Sequence, residues 1–163
     1  MTTLTNLIGR VEALSEGSAD LDAEIFLALT PDAFGADILR REGLNSDSMI
    51  RGRGGASYQY PQGGGTSFPI PEVTHSLDAA IVLVEKMLPE YGWSVGSLNS
   101  DQTEDLPEHH VFGAIVFEAR CSSPRDGQGW GATPALALIA ALLEALRRRS
   151  KLSESPLASE GGV

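Results

Sequence analysis

The chain contains a single cysteine, Cys121, among its 163 residues. One thiol excludes an internal disulfide bond and a cysteine-based zinc cluster, and it is typical of proteins from a reducing compartment. Cys121 ends a run of residues typical of a β-strand, and no neighbour in the sequence would activate its thiol. We therefore expect Cys121 to be a buried structural residue.

Basic residues are also scarce, because 12 lysines and arginines stand against 22 aspartates and glutamates, for a net charge of -10. Nucleic acids and anionic membranes are bound by clustered lysine and arginine side chains, so neither is expected as a partner. The sequence lacks the apolar run of roughly 20 residues that a bilayer-spanning helix needs. Residues 1–16 also lack the apolar core of a secretory signal. We expect a soluble protein of the cytoplasm.

The clearest positive pattern is an apolar helix near the C-terminus, in which eleven of the twelve residues 135–146 are apolar. Thr133 is its predicted N-cap and Pro134 its first helical residue. A helix that is apolar around most of its circumference is a core element or a subunit contact, so a homo-oligomer is expected. Alanine recurs at every fourth position, 137, 141 and 145, which predicts close packing against a helix or a sheet.

Three further helices and two strands follow from the spacing of apolar residues. The predicted helices cover residues 5–14, residues 19–30, and residues 77–88 after an N-cap at Ser76. The predicted strands cover residues 93–98 and 111–121 and pair in an antiparallel manner.

Some residues near these elements are interpreted as structural. Gly17 is placed to cap the C-terminus of the first helix, and the glycine-rich residues 127–131 are interpreted as a turn. Asp20, Asp22 and Glu24 are interpreted as surface charges that complement the N-terminus of the second helix. A metal cluster is the weaker interpretation of these acids, because side chains two residues apart on a helix diverge.

The basic residues and histidines near the other helices receive similar interpretations. Arg147, Arg148 and Arg149 are expected in the last turn of the C-terminal helix, where they complement its negative end. His75 is expected at the surface before the third helix, with a general base as the alternative. His109 and His110 are adjacent, so on an extended chain they point to opposite faces and do not share a metal ion.

A loop-rich insertion at about residues 43–70 is the first candidate ligand site. Helical periodicity fails there, and glycines bracket a β-like piece at residues 56–60. Arg51 and Arg53 could hold a phosphate, and the rings of Tyr58 and Tyr60 could stack on a base. A flexible, solvated loop is the alternative interpretation, and no Walker pattern follows the glycines.

The second candidate site lies at one rim of the predicted strands. Arg120 shares a strand face with Glu118, and Arg125 follows beyond the strand end, so two guanidinium groups could approach a ligand there. Backbone amides at the start of the C-terminal helix, around Thr133, could hold an anion. A surface ion pair is the alternative for Glu118 and Arg120.

Three segments of the chain resemble the phage ABA sandwich domain family: SADLDAEIFLAL at 18–29, VTHSLDAAIVLVEKMLP at 73–89, and GATPALALIAALLEAL at 131–146. The resemblance covers most of residues 4–148 and implies an α/β fold, an α/β/α sandwich with a small antiparallel sheet flanked by helices. We expect a single domain over residues 1–150 that includes the insertion, followed by a disordered tail over residues 151–163. Family members are small proteins encoded mostly by phages and prophages.

The resemblance supplies no catalytic residues, so the function is weighed between classes. The first hypothesis is a non-enzymatic phage accessory protein that binds and sequesters a small nucleotide-like immune signal in the bacterial host cytoplasm, as anti-defence sponge proteins do. The second is a protein-interaction module that blocks a host factor. The third is a small hydrolase that uses His75, His109 or Glu118. No cofactor or metal ion is expected.

Overall fold

The structure is a computed structural model that describes residues 3–30, 49–52, 55–59, 67–99, 105–118 and 126–154. In chain order its elements are α1 (Leu4–Glu12), α2 (Ala19–Leu29), β1 (Met49–Gly52), β2 (Gly55–Gln59), β3 (Ser67–Ile70), α3 (Leu77–Met87), β4 (Tyr91–Ser97), β5 (Phe112–Glu118), β6 (Gly127–Gly131) and α4 (Pro134–Glu154). None of these helices combines the length and the apolar character that crossing a bilayer requires.

Each of these helices begins after a serine or threonine cap. The side chains of Thr3, Ser18, Ser76 and Thr133 each accept a hydrogen bond, at 3.2 to 3.4 Å, from the backbone N–H three residues further along. Such a cap satisfies one of the N–H groups that the first turn of a helix leaves without an internal partner. The predicted caps at Ser76 and Thr133 are therefore confirmed.

The C-terminal half of the chain forms a three-stranded antiparallel sheet in the order β4-β5-β6. Trp93 pairs with Val116, and Val116 pairs with Gly127, so these three residues lie on the same face of the sheet. This face packs against α4. The predicted antiparallel pairing of the first two strands is confirmed.

The contact between β6 and α4 is made by residues with the smallest side chains. Residues 127, 129 and 131 of β6 are glycines that face the alanine ridge at 137, 141 and 145. A Cβ atom on Gly129 would lie 2.6 Å from the carbonyl oxygen of Ala137. Two strand residues advance about 6.6 Å and four helix residues about 6.0 Å, so the glycine and alanine repeats stay in register. The close packing predicted from the alanines is confirmed, with the sheet as the partner.

Helix α4 is the centre of the core. It packs against all three strands of this sheet and against α1 and α3. Every residue from Ala135 to Ala145 is buried within one chain, including Glu144. Contacts inside the chain therefore account for the apolar circumference of α4 without a second subunit. The α/β fold class, with a small antiparallel sheet flanked by helices, is confirmed.

A second antiparallel sheet, in the order β1-β2-β3, is formed by the segment that the sequence suggested as an insertion. Strand β2 confirms the predicted β-like piece. Arg51 pairs with Ala56, and Tyr58 pairs with Met49, so both candidate residues belong to the hairpin of β1 and β2. Strand β3 contacts α2 and so joins this sheet to the helices.

Three local predictions were wrong. Residues 127–131 form strand β6 rather than a turn, because their glycines allow the strand to lie against α4. Helix α1 ends with Ala13 as its C-cap, and Gly17 instead lies against the ring of His75, whose Cδ2 atom would be 2.6 Å from an added Cβ. Helix α4 continues to Glu154, so Arg147–Arg149 are not in its last turn. Residues 155–163 of the predicted tail lie outside the described residues.

Candidate functional site

The structure describes some of the predicted ligand residues and not others. Arg53, Tyr60, Arg120 and Arg125 lie outside the described residues, as does Cys121. Arg51 and Tyr58 have the strand positions given above. Thr133 caps α4, and its hydroxyl oxygen accepts the N–H of Leu136 at 3.2 Å.

A cavity of about 220 Å³ opens where β4 begins and β5 ends, and we call it the strand-end cavity. Its described lining residues are Leu88, Pro89, Glu90, Tyr91, Glu118 and Arg149. Tyr91 and Glu118 are paired across the two strands, which brings the ring and the carboxylate to the same end of the sheet. Helix α4 supplies Arg149 because it extends beyond the sheet as far as Glu154.

Of three successive arginines on α4, two share an ion-pair partner and the third lines the strand-end cavity. Glu144 accepts hydrogen bonds from Arg147 Nε at 2.7 Å and from Arg148 Nε at 2.6 Å. Burial raises the pKa of Glu144, but the hydrogen bonds and charges of the two arginines outweigh it, so the pKa is below its usual value. Within the described residues, Arg149 has no hydrogen-bond or ion-pair partner. Its guanidinium group is therefore available to an anion.

A second cavity, of about 130 Å³, lies between α2 and α3, and we call it the α2–α3 cavity. Its described lining residues are Asp22, Ile25, Phe26, Thr30, Pro71, Val73, Ala79, Val82, Leu83 and Lys86. Most of these side chains are apolar. Val82, one of these residues, is 63% exposed, so the cavity is open to solvent at this position.

Asp22, in the wall of the α2–α3 cavity, is a fully buried carboxylate. Its Oδ1 atom accepts the backbone N–H of Thr74 at 2.7 Å, and its Oδ2 atom lies 3.2 Å from Nδ1 of His75. Burial raises the pKa of Asp22, although the hydrogen bonds from Thr74 and His75 act in the opposite direction. The interpretation of Asp22 as a surface charge was wrong. Its spacing from Ile25 and Leu29, which places all three on one helix face, was the signal that it is buried.

The hydrogen bonding of Asp22 determines which nitrogen of His75 carries a proton. A carboxylate accepts hydrogen bonds, so Nδ1 of His75 donates to Asp22 and Nε2 is the basic nitrogen of the neutral ring. The side chain of His75 is 42% exposed, as expected for a surface histidine, and its ring rests against Gly17. Thr74 supports the network, since its hydroxyl oxygen accepts the backbone N–H of Ser18 at 2.9 Å.

His109 and His110 do not point to opposite faces, so that prediction was wrong. They lie in a turn before β5, and Nε2 of each donates to the carbonyl oxygen of Glu12, at 2.9 and 2.7 Å. The two rings meet edge to face with centroids 4.5 Å apart. They thus satisfy a carbonyl group at the C-terminal end of α1. Within the described residues, no group of three or more histidine, cysteine, aspartate or glutamate side chains is arranged to hold a metal ion.

No protein-family model, curated protein or solved structure matches the chain. The resemblance to the phage ABA sandwich domain family therefore stays a prediction from the three sequence segments.

Proposed function

We propose that this chain is a non-enzymatic phage accessory protein that binds and sequesters a small nucleotide-like signal in the cytoplasm of the bacterial host. The strand-end cavity is its proposed ligand site. The observation that carries the proposal is the guanidinium group of Arg149, which has no partner among the described residues, at a cavity that Tyr91 also lines. Arginine forms bidentate hydrogen bonds with phosphate, and tyrosine rings stack on bases.

The carboxylate groups of this cavity are consistent with the same class of ligand. Glu90 and Glu118 offer oxygen atoms that accept hydrogen bonds from ribose hydroxyl groups or base amino groups. In the sequence, Arg120 follows Glu118 by two residues, and Arg125 immediately precedes Asp126. The backbone N–H of Glu118 donates to Oδ1 of Asp126 at 3.0 Å, so the two ends of the segment that contains these arginines are close together. Both arginines are proposed as further ligand contacts.

The size of the cavity suggests which part of the ligand the described residues would hold. Sites for drug-sized molecules have volumes of about 300 to 1,000 Å³, so a cavity of about 220 Å³ fits one portion of such a ligand. We assign this portion to a base with an adjacent phosphate. Arg51, Arg53, Tyr58, Tyr60 and Thr133 remain proposed contacts for the rest of a larger ligand or in a homo-oligomer.

The test is thermal unfolding with a panel of cyclic dinucleotides, cyclic trinucleotides and ADP-ribose derivatives. A ligand at about 100 times its dissociation constant adds roughly 2.7 kcal/mol to the free energy of unfolding. We expect Arg149→Ala to remove this gain and Lys151→Ala, an exposed change of equal charge on the same helix, to retain it. The ligand should be recovered intact after heat denaturation. A flat panel would overturn the proposal and favour the protein-interaction module.

A small hydrolase is the second candidate, and the hydrogen bond between Asp22 and His75 favours it. A buried carboxylate that fixes the histidine tautomer leaves Nε2 to accept a proton from an attacking water molecule. This candidate predicts that a compound from the panel is converted by the wild-type protein and not by His75→Gln, whereas His109→Gln retains the activity. Recovery of every compound unchanged would reject it.

A further inference from the structure

Among the described lining residues of the α2–α3 cavity, one side chain has a polar group that is free for a ligand. The carboxylate of Asp22 is occupied by Thr74 and His75, as described above. The hydroxyl group of Thr30 donates to the carbonyl oxygen of Phe26 at 2.6 Å. Lys86 is the remaining polar lining residue, and no carboxylate in the described parts of the chain lies within ion-pair distance of its ammonium group. As far as the described residues show, the cavity therefore combines mostly apolar walls with one unpaired positive charge.

The volume of the cavity limits the apolar part of a ligand. An apolar cavity of about 150 Å³ in a protein can hold a benzene-sized molecule. At about 130 Å³, this cavity has room for a single ring or a short branched chain. The rings and branched chains of Phe26, Ile25 and Leu83 would provide the contacts.

The positions of Val82 and Lys86 indicate where the charged part of a ligand would lie. Both residues are on α3, four positions apart, so they are neighbours on one helix face. Both are exposed, and both line the cavity, which places the positive charge at its mouth. A ligand with its apolar group inside would cover Val82 and present its other end to Lys86.

We propose that the α2–α3 cavity is a binding site for a small carboxylic acid with one ring or one branched apolar chain. The apolar group occupies the cavity, and the carboxylate pairs with the ammonium group of Lys86. This site shares no lining residue with the strand-end cavity, so the inference does not depend on the proposed function. The positive charge of Lys86 favours an anion at the mouth of the cavity, although the chain as a whole has a net charge of -10.

The test uses benzoate and its uncharged analogue benzamide as probes of the full chain, with affinity measured by NMR titration. We expect benzoate to bind the wild-type protein about fivefold more tightly than it binds Lys86→Gln, the effect of one partly exposed ion pair. Benzamide should bind both proteins equally. Glu85→Gln, an exposed neighbour on α3 that does not line the cavity, is the matched control, and it should not weaken benzoate binding.

A second variant distinguishes the cavity from a surface attraction to Lys86. Ala79→Leu adds a side chain from a half-buried lining position, so it should abolish the binding of both probes while Lys86 remains. A circular dichroism spectrum like that of the wild type establishes that this variant is folded. Equal benzoate affinity in the wild type and Lys86→Gln would overturn the proposal. Undiminished binding to folded Ala79→Leu, or no chemical-shift change at the cavity residues with benzoate, would do the same.

Discussion

The contact of β6 with α4 and the contact of α2 with the turn before α3 are both buried, but different forces hold them. At β6, glycines let a strand backbone lie directly against a ridge of alanines, and close packing of complementary surfaces stabilises the contact. At α2, the carboxylate of Asp22 fixes the turn through the N–H of Thr74, and a cavity remains beside it. The close-packed contact leaves no space for a ligand. The polar contact leaves a cavity beside it, and its carboxylate orients the ring of His75.

The largest effect is expected where the packing is tightest. Gly129→Ala puts a methyl group within 2.6 Å of the Ala137 carbonyl oxygen, and helix backbone cannot rotate away as a side chain can. We expect a loss of about 3 kcal/mol in the free energy of unfolding, measured with urea. Gly96→Ala is on β4, where no atom of the described residues lies within 4 Å of the added methyl, and it should change stability by less than about 0.5 kcal/mol. Equal effects of the two substitutions would contradict the account of β6.

The polar contact should be broken by removing its carboxylate. Asp22→Ala leaves the N–H of Thr74 buried and without its acceptor, which should cost about 2 kcal/mol in urea unfolding. Asp20→Ala, an exposed change of equal charge in the same helix turn, should cost about 0.5 kcal/mol. If the two variants unfold at the same urea concentration, Asp22 does not hold the turn.

Glu144 is the one charged residue in the apolar segment 135–146 of α4, and the pH dependence of stability tests its ion pairs. The folded-state pKa of Glu144 is lowered, so its contribution to stability is present above the unfolded-state pKa and is lost as pH falls through the folded-state pKa. Glu144→Gln should therefore cost about 1 kcal/mol at neutral pH and much less in acid below the lowered pKa. The measurement is urea unfolding at both pH values, with the exposed Glu85→Gln as the control. A constant difference between Glu144→Gln and wild type would show that the charge does not matter.

The smallest effect is expected where neither packing nor polar contacts are involved. Gly9 lies inside α1, and in the part of the chain that the structure describes nothing lies within 4 Å of an added Cβ atom. Gly9→Ala should raise the free energy of unfolding by about 0.5 to 1 kcal/mol, because alanine has the higher helix propensity. Thermal unfolding by circular dichroism provides the measurement. A lower melting temperature would mean that the space at Gly9 is not empty.

The sequence predicts the α4 side of the contact between β6 and α4, but it does not predict the strand. The spacing of apolar residues and the N-caps at Ser76 and Thr133 are local signals, and the helices and the β4–β5 pair were predicted from signals of this kind. Strand β6 was missed because its Gly-x-Gly-x-Gly pattern has low strand propensity. The formation of β6 is explained by the packing of its glycines against the alanine repeat of α4, and this packing is a tertiary contact.

The candidate sites depended even more on tertiary contacts. The strand-end cavity joins the end of β5 to a distant part of α4, and periodicity does not bring Glu118 and Arg149 together. The separation of Arg149 from Arg147 and Arg148 depends on where Glu144 directs its two oxygens. Asp22 is the exception, since its spacing from Ile25 was visible in the sequence and was outweighed by its position in the first helical turn.

The β6–α4 contact also has a consequence for the order of folding. Its glycines and alanines belong to one continuous segment, joined by a short turn, so few residues must be ordered before it forms. The bond between Asp22 and Thr74 joins residues 52 positions apart and requires a much longer loop to close. Contacts between residues close in sequence form faster than distant ones. The strand and helix from Gly127 to Ala145 are therefore the expected nucleus, and the polar contact that borders the α2–α3 cavity is expected to form later.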